Sequence, residues 1–321
     1  MKFFTEADVE RLLTMNDALE AVQEAFALKA AGQAQNRPRQ RAGGGALLQV
    51  MPAAIPGLGV MGFKAYTSSR EGARFMVFLF DSESGKPLAA IQGNRLGQLR
   101  TGAATGVACR FMARPESRVL ALVGCGYQAE TQLAAVASVL PIEEARVFCR
   151  TPGRAEAFGT RMQPSLPGVR LVAAATVHQA VEGADVVVTV TNSKEPVVPD
   201  EAVAPGTCIC AAGSNHAARR ELAAATVLGA HRVVVDDLAQ ARLECGDLLG
   251  AESAGFSWDK VVELADVVAA RYPGRERPDE ITLFESQGVA LEDVALGARL
   301  LKKAEGSGIG RTLPGDPGLW G

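Results

Sequence analysis

The residues Gly124-Cys125-Gly126-Tyr127-Gln128-Ala129 have the types and spacing to hold a diphosphate. In a G-x-G-x-x-A turn the first glycine permits a tight bend and the second lets the main chain approach the phosphates. The small last residue lets the following helix pack on the strand. A helix starting there offers unpaired N–H groups and the positive end of its dipole. Gly-rich turns are common, so the context decides. Residues 119–123, Val-Leu-Ala-Leu-Val, are a short apolar run of the kind that forms a buried parallel strand. A helical stretch follows from about Tyr127 to Val139, and the next strand is expected over 145–149. Strand, turn, helix and strand in this order predict a nicotinamide dinucleotide on a Rossmann-type unit.

The choice between the two nicotinamide cofactors rests on the end of that second strand. An NAD site usually places Asp or Glu there, about 20 residues on, to bond the ribose 2′-hydroxyl. This chain has Phe148-Cys149-Arg150-Thr151 and then Arg154. Two cations and a hydroxyl suit a 2′-phosphate, so NADP(H) is preferred. NAD(H) stays open, with Arg150 then a solvated surface residue. Thr189, Val190 and Thr191 end a strand over 184–191, and ligands bind outside the carboxyl ends of such strands. A Thr hydroxyl beside a ribose fits there, although β-propensity alone would also explain Thr189. Lys64, in Gly62-Phe63-Lys64, stands between apolar residues on a strand. Buried, it needs a partner; at a sheet edge it would point to solvent.

These groups need a scaffold. From Arg118 the chain alternates short apolar strands (119–123, 145–149, 170–174, 184–191, 207–212, 232–236) with helices, which predicts α/β architecture with a parallel sheet. After Asp237 it reads as helical and irregular to about Arg277, with one more strand over 280–284 and a long helix over 288–304. The first 35 residues look helical. Thr5 with Asp8 resembles a capping box, and Asn16 or Asp17 starts a second helix. The Pro/Gly/Arg-rich stretch 36–45 reads as a loop, followed by strands over 46–51, 59–67, 74–81 and 87–92. The helix over 96–112 is rich in Ala, Gly and Thr, small enough for another backbone to come close. The expected organisation is a Rossmann-type dinucleotide-binding domain over 116–287. An α+β domain over 1–115 is completed by the C-terminal segment 288–321.

Several segments together carry a family resemblance. Arg100-Thr101-Gly102-Ala103-Ala104-Thr105, the turn 124–129, the strand 185–191, the segment 213–222 and Phe284-Glu285-Ser286-Gln287-Gly288 with Glu292-Asp293 resemble the ornithine cyclodeaminase/mu-crystallin family, from about Phe3 to Leu301. The resemblance implies a homodimer, with the first domain and its C-terminal helix forming the dimer contact and much of the substrate site. It implies hydride transfer between NAD(P) and the α-carbon of an amino or imino acid. Arg39, or Arg41 in its place, looks like the family's carboxylate-binding arginine. Lys64 matches its active-site lysine, and Arg100 the arginine before the Thr. Arg can grip the α-carboxylate through two hydrogen bonds. Lys64, directly or through water, is the candidate proton donor, its pKa lowered by burial among cations. Thr101 matches a position near the cofactor phosphates. Taken alone, Arg39 and Arg100 read as surface arginines.

One departure bears on the reaction. Counting back from Glu221-Leu222, Asn215 stands where cyclodeaminases carry a catalytic Asp, and mu-crystallin also lacks it. Asn takes no proton at neutral pH. The expectation is an NAD(P)H-dependent reductase of a small imino acid or an amino-acid dehydrogenase, with Asn215 orienting the nicotinamide amide or the imine nitrogen. Ornithine cyclodeaminase and a non-catalytic, mu-crystallin-like binding protein are the alternatives. Residues around Met51, Tyr66 and Phe75 are expected to line the substrate.

Bulk properties exclude other classes. The chain has 321 residues, net charge −3 and 5% aromatics, with no basic stripe, which argues against a nucleic-acid partner. Its six cysteines form no CxxC pair and its three histidines are scattered, so no metal is expected and the thiols are read as buried and free. With neither a signal-like N-terminus nor an apolar run of membrane-spanning length, the expected location is the cytoplasm, without a membrane partner.

Overall fold

The computed structural model describes residues 1–314; residues 315–321, the end of the expected C-terminal segment, lie outside them. Contacts divide the chain into two compact units, Thr101–Gly288 and Met1–Arg100 with Val289–Gly321. The sequence placed the first boundary at 115, where a helix ends. The contacts place it inside that helix, between Arg100 and Thr101.

The first unit begins with β1 (Lys2–Phe4), α1 (Glu6–Leu12) and α2 (Met15–Ala30). Thr5 and Asp8 form the expected reciprocal capping box. The second helix starts earlier than expected, because Thr14 caps it in the same way with Asp17 at the third helical position. Then come β2 (Gln35–Asn36), β3 (Gln40–Gly43), β4 (Leu47–Ile55), β5 (Val60–Ser69), β6 (Gly72–Asp81), β7 (Pro87–Gln92) and the first turns of α3 (Asn94–Met112). The stretch 36–45 is thus not wholly a loop. Its backbone pairs antiparallel with β4 at Asn36 and again over Gln40–Gly43, overriding its Pro/Gly-rich composition. The sheet is completed by β16 (Arg311–Thr312), which pairs with β1.

The alternation of β5 is clean: Val60, Gly62, Lys64 and Tyr66 are buried while Met61, Phe63, Ala65 and Thr67 are half-buried. The buried side is covered by the C-terminal helix of this unit, identified below as α11. Gly297 of that helix comes so close that a Cβ would meet Leu79 at 3.0 Å and Ile91 at 3.3 Å.

The second unit continues α3 and adds β8 (Val119–Val123), α4 (Tyr127–Val139), β9 (Glu144–Phe148), α5 (Arg154–Met162), β10 (Arg170–Ala173), α6 (Val177–Val181), β11 (Val186–Thr189), β12 (Cys208–Ala211), α7 (Ala224–Gly229), β13 (Arg232–Val235), α8 (Leu238–Glu244), α9 (Gly246–Ala251), β14 (Val261–Glu263), α10 (Leu264–Val268) and β15 (Thr282–Glu285). After it, α11 (Ala290–Ala304) returns to the first unit. The strands form one parallel sheet in the order β10-β9-β8-β11-β12-β15-β13-β14. The irregular stretch after Asp237 contains β14, a strand too short to show periodicity. β15 inserts between β12 and β13, so a late segment pairs with an earlier one. β11, β12 and β15 are buried along their whole lengths, which explains the apolar runs Val186–Val188 and Cys208–Ala211.

The small residues of α3 have the use expected of them. A Cβ at Gly102 would overlap the Thr131 carbonyl of α4, and Gln132 Nε2 donates to the Thr101 carbonyl at 3.2 Å. G102A should therefore cost roughly 1–3 kcal/mol, since the backbone it strikes cannot move aside. Urea unfolding measures this; an unchanged midpoint would contradict the close packing.

Candidate active site

Each unit carries a separate cluster of chemically capable groups. In the first unit, β5 aims Lys64 at the α11 side of the sheet. Its side chain is almost wholly buried, and its Nζ donates to Asp293 Oδ1 at 3.1 Å and Oδ2 at 3.4 Å. Arg100, on α3, pairs through Nη1 with Glu292 Oε2 at 2.8 Å and approaches Asp293 Oδ1 through Nε at 3.4 Å. Glu292 and Asp293 are fully buried in the first turn of α11, where the helix dipole favours negative charge. Arg39, between β2 and β3, is buried, with its Nε 3.2 Å from Met51 Sδ and its guanidinium 6.0 Å from the Tyr66 ring centroid. Arg41 is exposed. The buried phenol of Tyr66 donates to Gln49 Oε1 at 2.7 Å, and Lys64 Nζ lies 5.1 Å from the Phe75 ring centroid.

Burial lowers the Lys64 pKa to about 8, and the Arg100 and Arg39 charges push it the same way. Asp293 opposes them. The result is an ammonium that holds its proton at neutral pH but releases it far more readily than a surface lysine. The structure brings Arg39, Lys64 and Arg100 into mutual electrostatic range, with Met51, Tyr66 and Phe75 beside them. Sequence reasoning quoted Glu292 and Asp293 only as family marks. The missed signal is that two adjacent acids sit at the apolar start of an otherwise amphipathic helix.

In the second unit, the turn after β8 opens into a cavity of about 420 Å³. Gly124, Gly126, Tyr127, Gln128, Arg150, Thr151, Arg154, Val190 and Thr191 all line it, joined by Val197, Ala212 and Gly213. Gly124 adopts φ +110°, and a Cβ there would lie 2.6 Å from the Val190 carbonyl, so glycine is required. Gly126 is the N-cap of α4 and provides no side-chain cap, and the residues at the positive end of the helix dipole, Tyr127 and Gln128, line the cavity. A Cβ on Gly126 would meet no protein atom within 4 Å, so the space beside it is open. These features fit a dinucleotide diphosphate. Ala129 is buried in α4, as its packing role requires.

Other expected residues lie elsewhere. Thr189 is fully buried and its hydroxyl donates to Glu221 Oε2 at 3.0 Å, turned into the protein. Thr101 is buried in α3, and Asn215 is half-buried in the loop after β12; neither lines the cavity. Cys109, Cys208 and Cys210 converge in the core, with Sγ atoms within 4.8 Å of one another. Sequence spacing did not reveal them, because Cys109 is on α3 and the others on β12. No helix of the described residues is long and apolar enough to cross a membrane.

The profile of the ornithine cyclodeaminase/mu-crystallin family matches residues 1–307. The chain belongs to this family. It is 35% identical over 324 aligned positions to an alanine dehydrogenase of Archaeoglobus fulgidus, covering 96% of this chain and 97% of the relative. The Thermococcus litoralis Δ1-pyrroline-2-carboxylate reductase, solved with NADH and L-proline, superposes with a TM-score of 0.93 at 31% identity. That match covers 98% of this chain and all of the other. An archaeal alanine dehydrogenase dimer with bound NAD gives a TM-score of 0.92 at 32% identity, covering 98% and 99% of the two chains.

Because Asp293 props up the Lys64 pKa, D293N should lower it further below about 8. The 13Cε resonance of Lys64, followed against pH, reads this directly. An unchanged titration midpoint would show that Asp293 does not govern the lysine.

Proposed function

We propose that this protein is an NAD(P)H-dependent reductase of a small α-imino acid, a ketimine such as Δ1-pyrroline-2-carboxylate, or a reversible amino-acid dehydrogenase. The observation that carries the proposal is the buried set of Arg39, Lys64 and Arg100, held with Asp293 and Glu292. Burying three cations is costly, and a site for an anionic substrate gives that cost a purpose. Arg39 and Arg100 anchor the α-carboxylate. When bound, the dinucleotide supplies a hydride to the imine carbon. Lys64 donates its Nζ proton to the imine nitrogen, completing the amine, and is reprotonated from solvent. Asp293 keeps the ammonium charged and aimed until then.

Family membership and the two nicotinamide-bound relatives support the cofactor. For its identity, Arg150, Thr151 and Arg154 on the cavity rim, with no carboxylate at the end of β9, favour NADP(H), and NAD(H) is the competitor. Thr101, buried on α3 and off the cavity lining, would act on the phosphate site only through α4, whose Gln132 donates to its carbonyl. Asn215 orients the nicotinamide amide or the imine nitrogen. An amide there cannot shuttle the protons of ammonia loss, which favours net reduction over cyclodeamination. The domains keep their proposed roles: substrate binding and dimerisation for the first, dinucleotide binding for the second. The assembly is a homodimer, and its contact is the half-buried side of β5 and β6. There Phe63 stacks on Phe78 at 5.0 Å and Phe80 at 6.2 Å, an apolar face that a second copy would cover.

Four outcomes follow. K64M should reduce kcat for NADPH-dependent reduction of Δ1-pyrroline-2-carboxylate at least about 100-fold. Wild-type kcat/KM should fall as pH rises through about 8, where Lys64 of the free protein loses its proton; a flat profile to pH 10 would remove Lys64 as the acid. R150A/R154A should raise KM for NADPH but not for NADH, measured by absorbance at saturating imine. F78E should convert dimers to monomers by light scattering. Absence of turnover on every imino acid tried would favour a binding role.

A further inference from the structure

Behind the cavity wall of the second unit lies Glu221, which is not among the cavity's lining residues and is fully buried. Its Oε1 accepts the Thr191 N–H at 2.6 Å, and its Oε2 accepts the Gly213 N–H at 2.8 Å and the Thr189 hydroxyl at 3.0 Å. Thr191 and Gly213 belong to the two loops that leave β11 and β12 and line the cavity. The contact leaves no slack: a Cβ on Gly213 would lie 2.5 Å from Glu221 Oε1. Glu221 is itself fixed from behind. Its N–H and that of Leu222 both donate to Asp247 Oδ1 at 2.8 Å, and its carbonyl accepts from Val197 N at 2.8 Å.

We propose that Glu221 is a positioning residue for the dinucleotide. Its ionised carboxylate clamps the loops after β11 and β12 in the binding geometry, so that protonating it weakens cofactor binding. This rests on reading the cavity as the dinucleotide site. Three donors converge on two oxygens that carry no proton. Adding one makes an oxygen a donor that only the Thr189 hydroxyl, by reversing, can accept, and the backbone N–H groups are then held by an uncharged and weaker acceptor. Burial sets the titration within reach, raising the carboxyl to about 7, with the Asp247 charge adding to it.

The surrounding groups are acidic. Asp247, on α9, is raised to about 6, chiefly by burial, with Arg220 acting against the rise. Glu285, at the end of β15, is raised well above the carboxylate range by burial and by Asp247, Glu221 and Asp236. It accepts from the neutral Cys245 thiol at 3.3 Å. His216 lies on the exposed part of the same loop, its Nδ1 accepting from Ala218 N at 3.1 Å.

The test is the dissociation constant of NADH, which has no titrating 2′-phosphate, measured by fluorescence on the full-length protein between pH 5.5 and 8.5. Wild-type affinity should weaken about tenfold between pH 8 and pH 6, the factor for one required deprotonation near pH 7. E221Q should bind about tenfold more weakly at pH 8 and show no pH dependence across that interval. D247N, which keeps an oxygen for the two backbone donors but removes a charge that raises Glu221, should keep the acid limb and shift its midpoint to lower pH. A flat wild-type profile overturns the inference even if E221Q does not fold. So does an E221Q variant that keeps the acid limb, or a D247N variant whose limb moves to higher pH. If the wild type binds no dinucleotide at any pH, the cavity reading itself fails.

Discussion

A cation can be buried only with a counter-charge, and the first unit is arranged around that constraint. Lys64 and Arg100 come from a strand and a helix, and their tolerated burial depends on Asp293 and Glu292 of α11, while Arg39, from an inter-strand segment, is buried against Met51 and Tyr66. The return of the C-terminal helix is therefore more than closure of the core. It delivers two carboxylates, at the end of the helix where the dipole favours them, to cations about 190 to 230 residues earlier in the chain. The geometry does not silence the lysine. Asp293 offsets only part of the effect of burial and of the neighbouring guanidinium groups, so the ammonium stays poised near neutral pH.

The second unit meets a different constraint with the same economy. A parallel sheet brings its strand ends to one edge, where loops must be fixed without filling the space a ligand needs. Gly124 and Gly126 leave that space, while Glu221 holds the neighbouring loops from outside it. Behind it, Asp247 and Glu285 are likewise acids whose carboxyl groups burial pushes up.

How much of this was legible depended on range. The phosphate turn, its strand and its helix are local, and the sequence read them with nearly correct bounds. The capping box at Thr5 was equally visible; Thr14 was missed only because Asn16 and Asp17 competed with it as starts. Strand pairing was not visible where it overrode composition, as in Gln40–Gly43, or where it crossed the chain, as when β15 enters between β12 and β13. In the site, the turn showed its own chemistry, but Arg39 and Arg100 looked like surface arginines until family resemblance singled them out. The counter-charges at 292 and 293 and the clamp at Glu221 depend on contacts between distant segments, which no spacing rule exposes. Thr189 had the right residue type for a ribose contact, yet the fold turns its hydroxyl toward Glu221.

The central claim is that a cofactor hydride ends on the α-carbon of an imino acid anchored by Arg39 and Arg100 and protonated by Lys64. It is tested most directly by turning over Δ1-pyrroline-2-carboxylate with NADPH, and in parallel NADH, deuterated at the transferable C4 position. The account predicts proline carrying one deuterium at the α-carbon, with one oxidised cofactor formed per proline. Release of ammonia and proline from L-ornithine with no net cofactor change, and no label transfer to the imine, would contradict it.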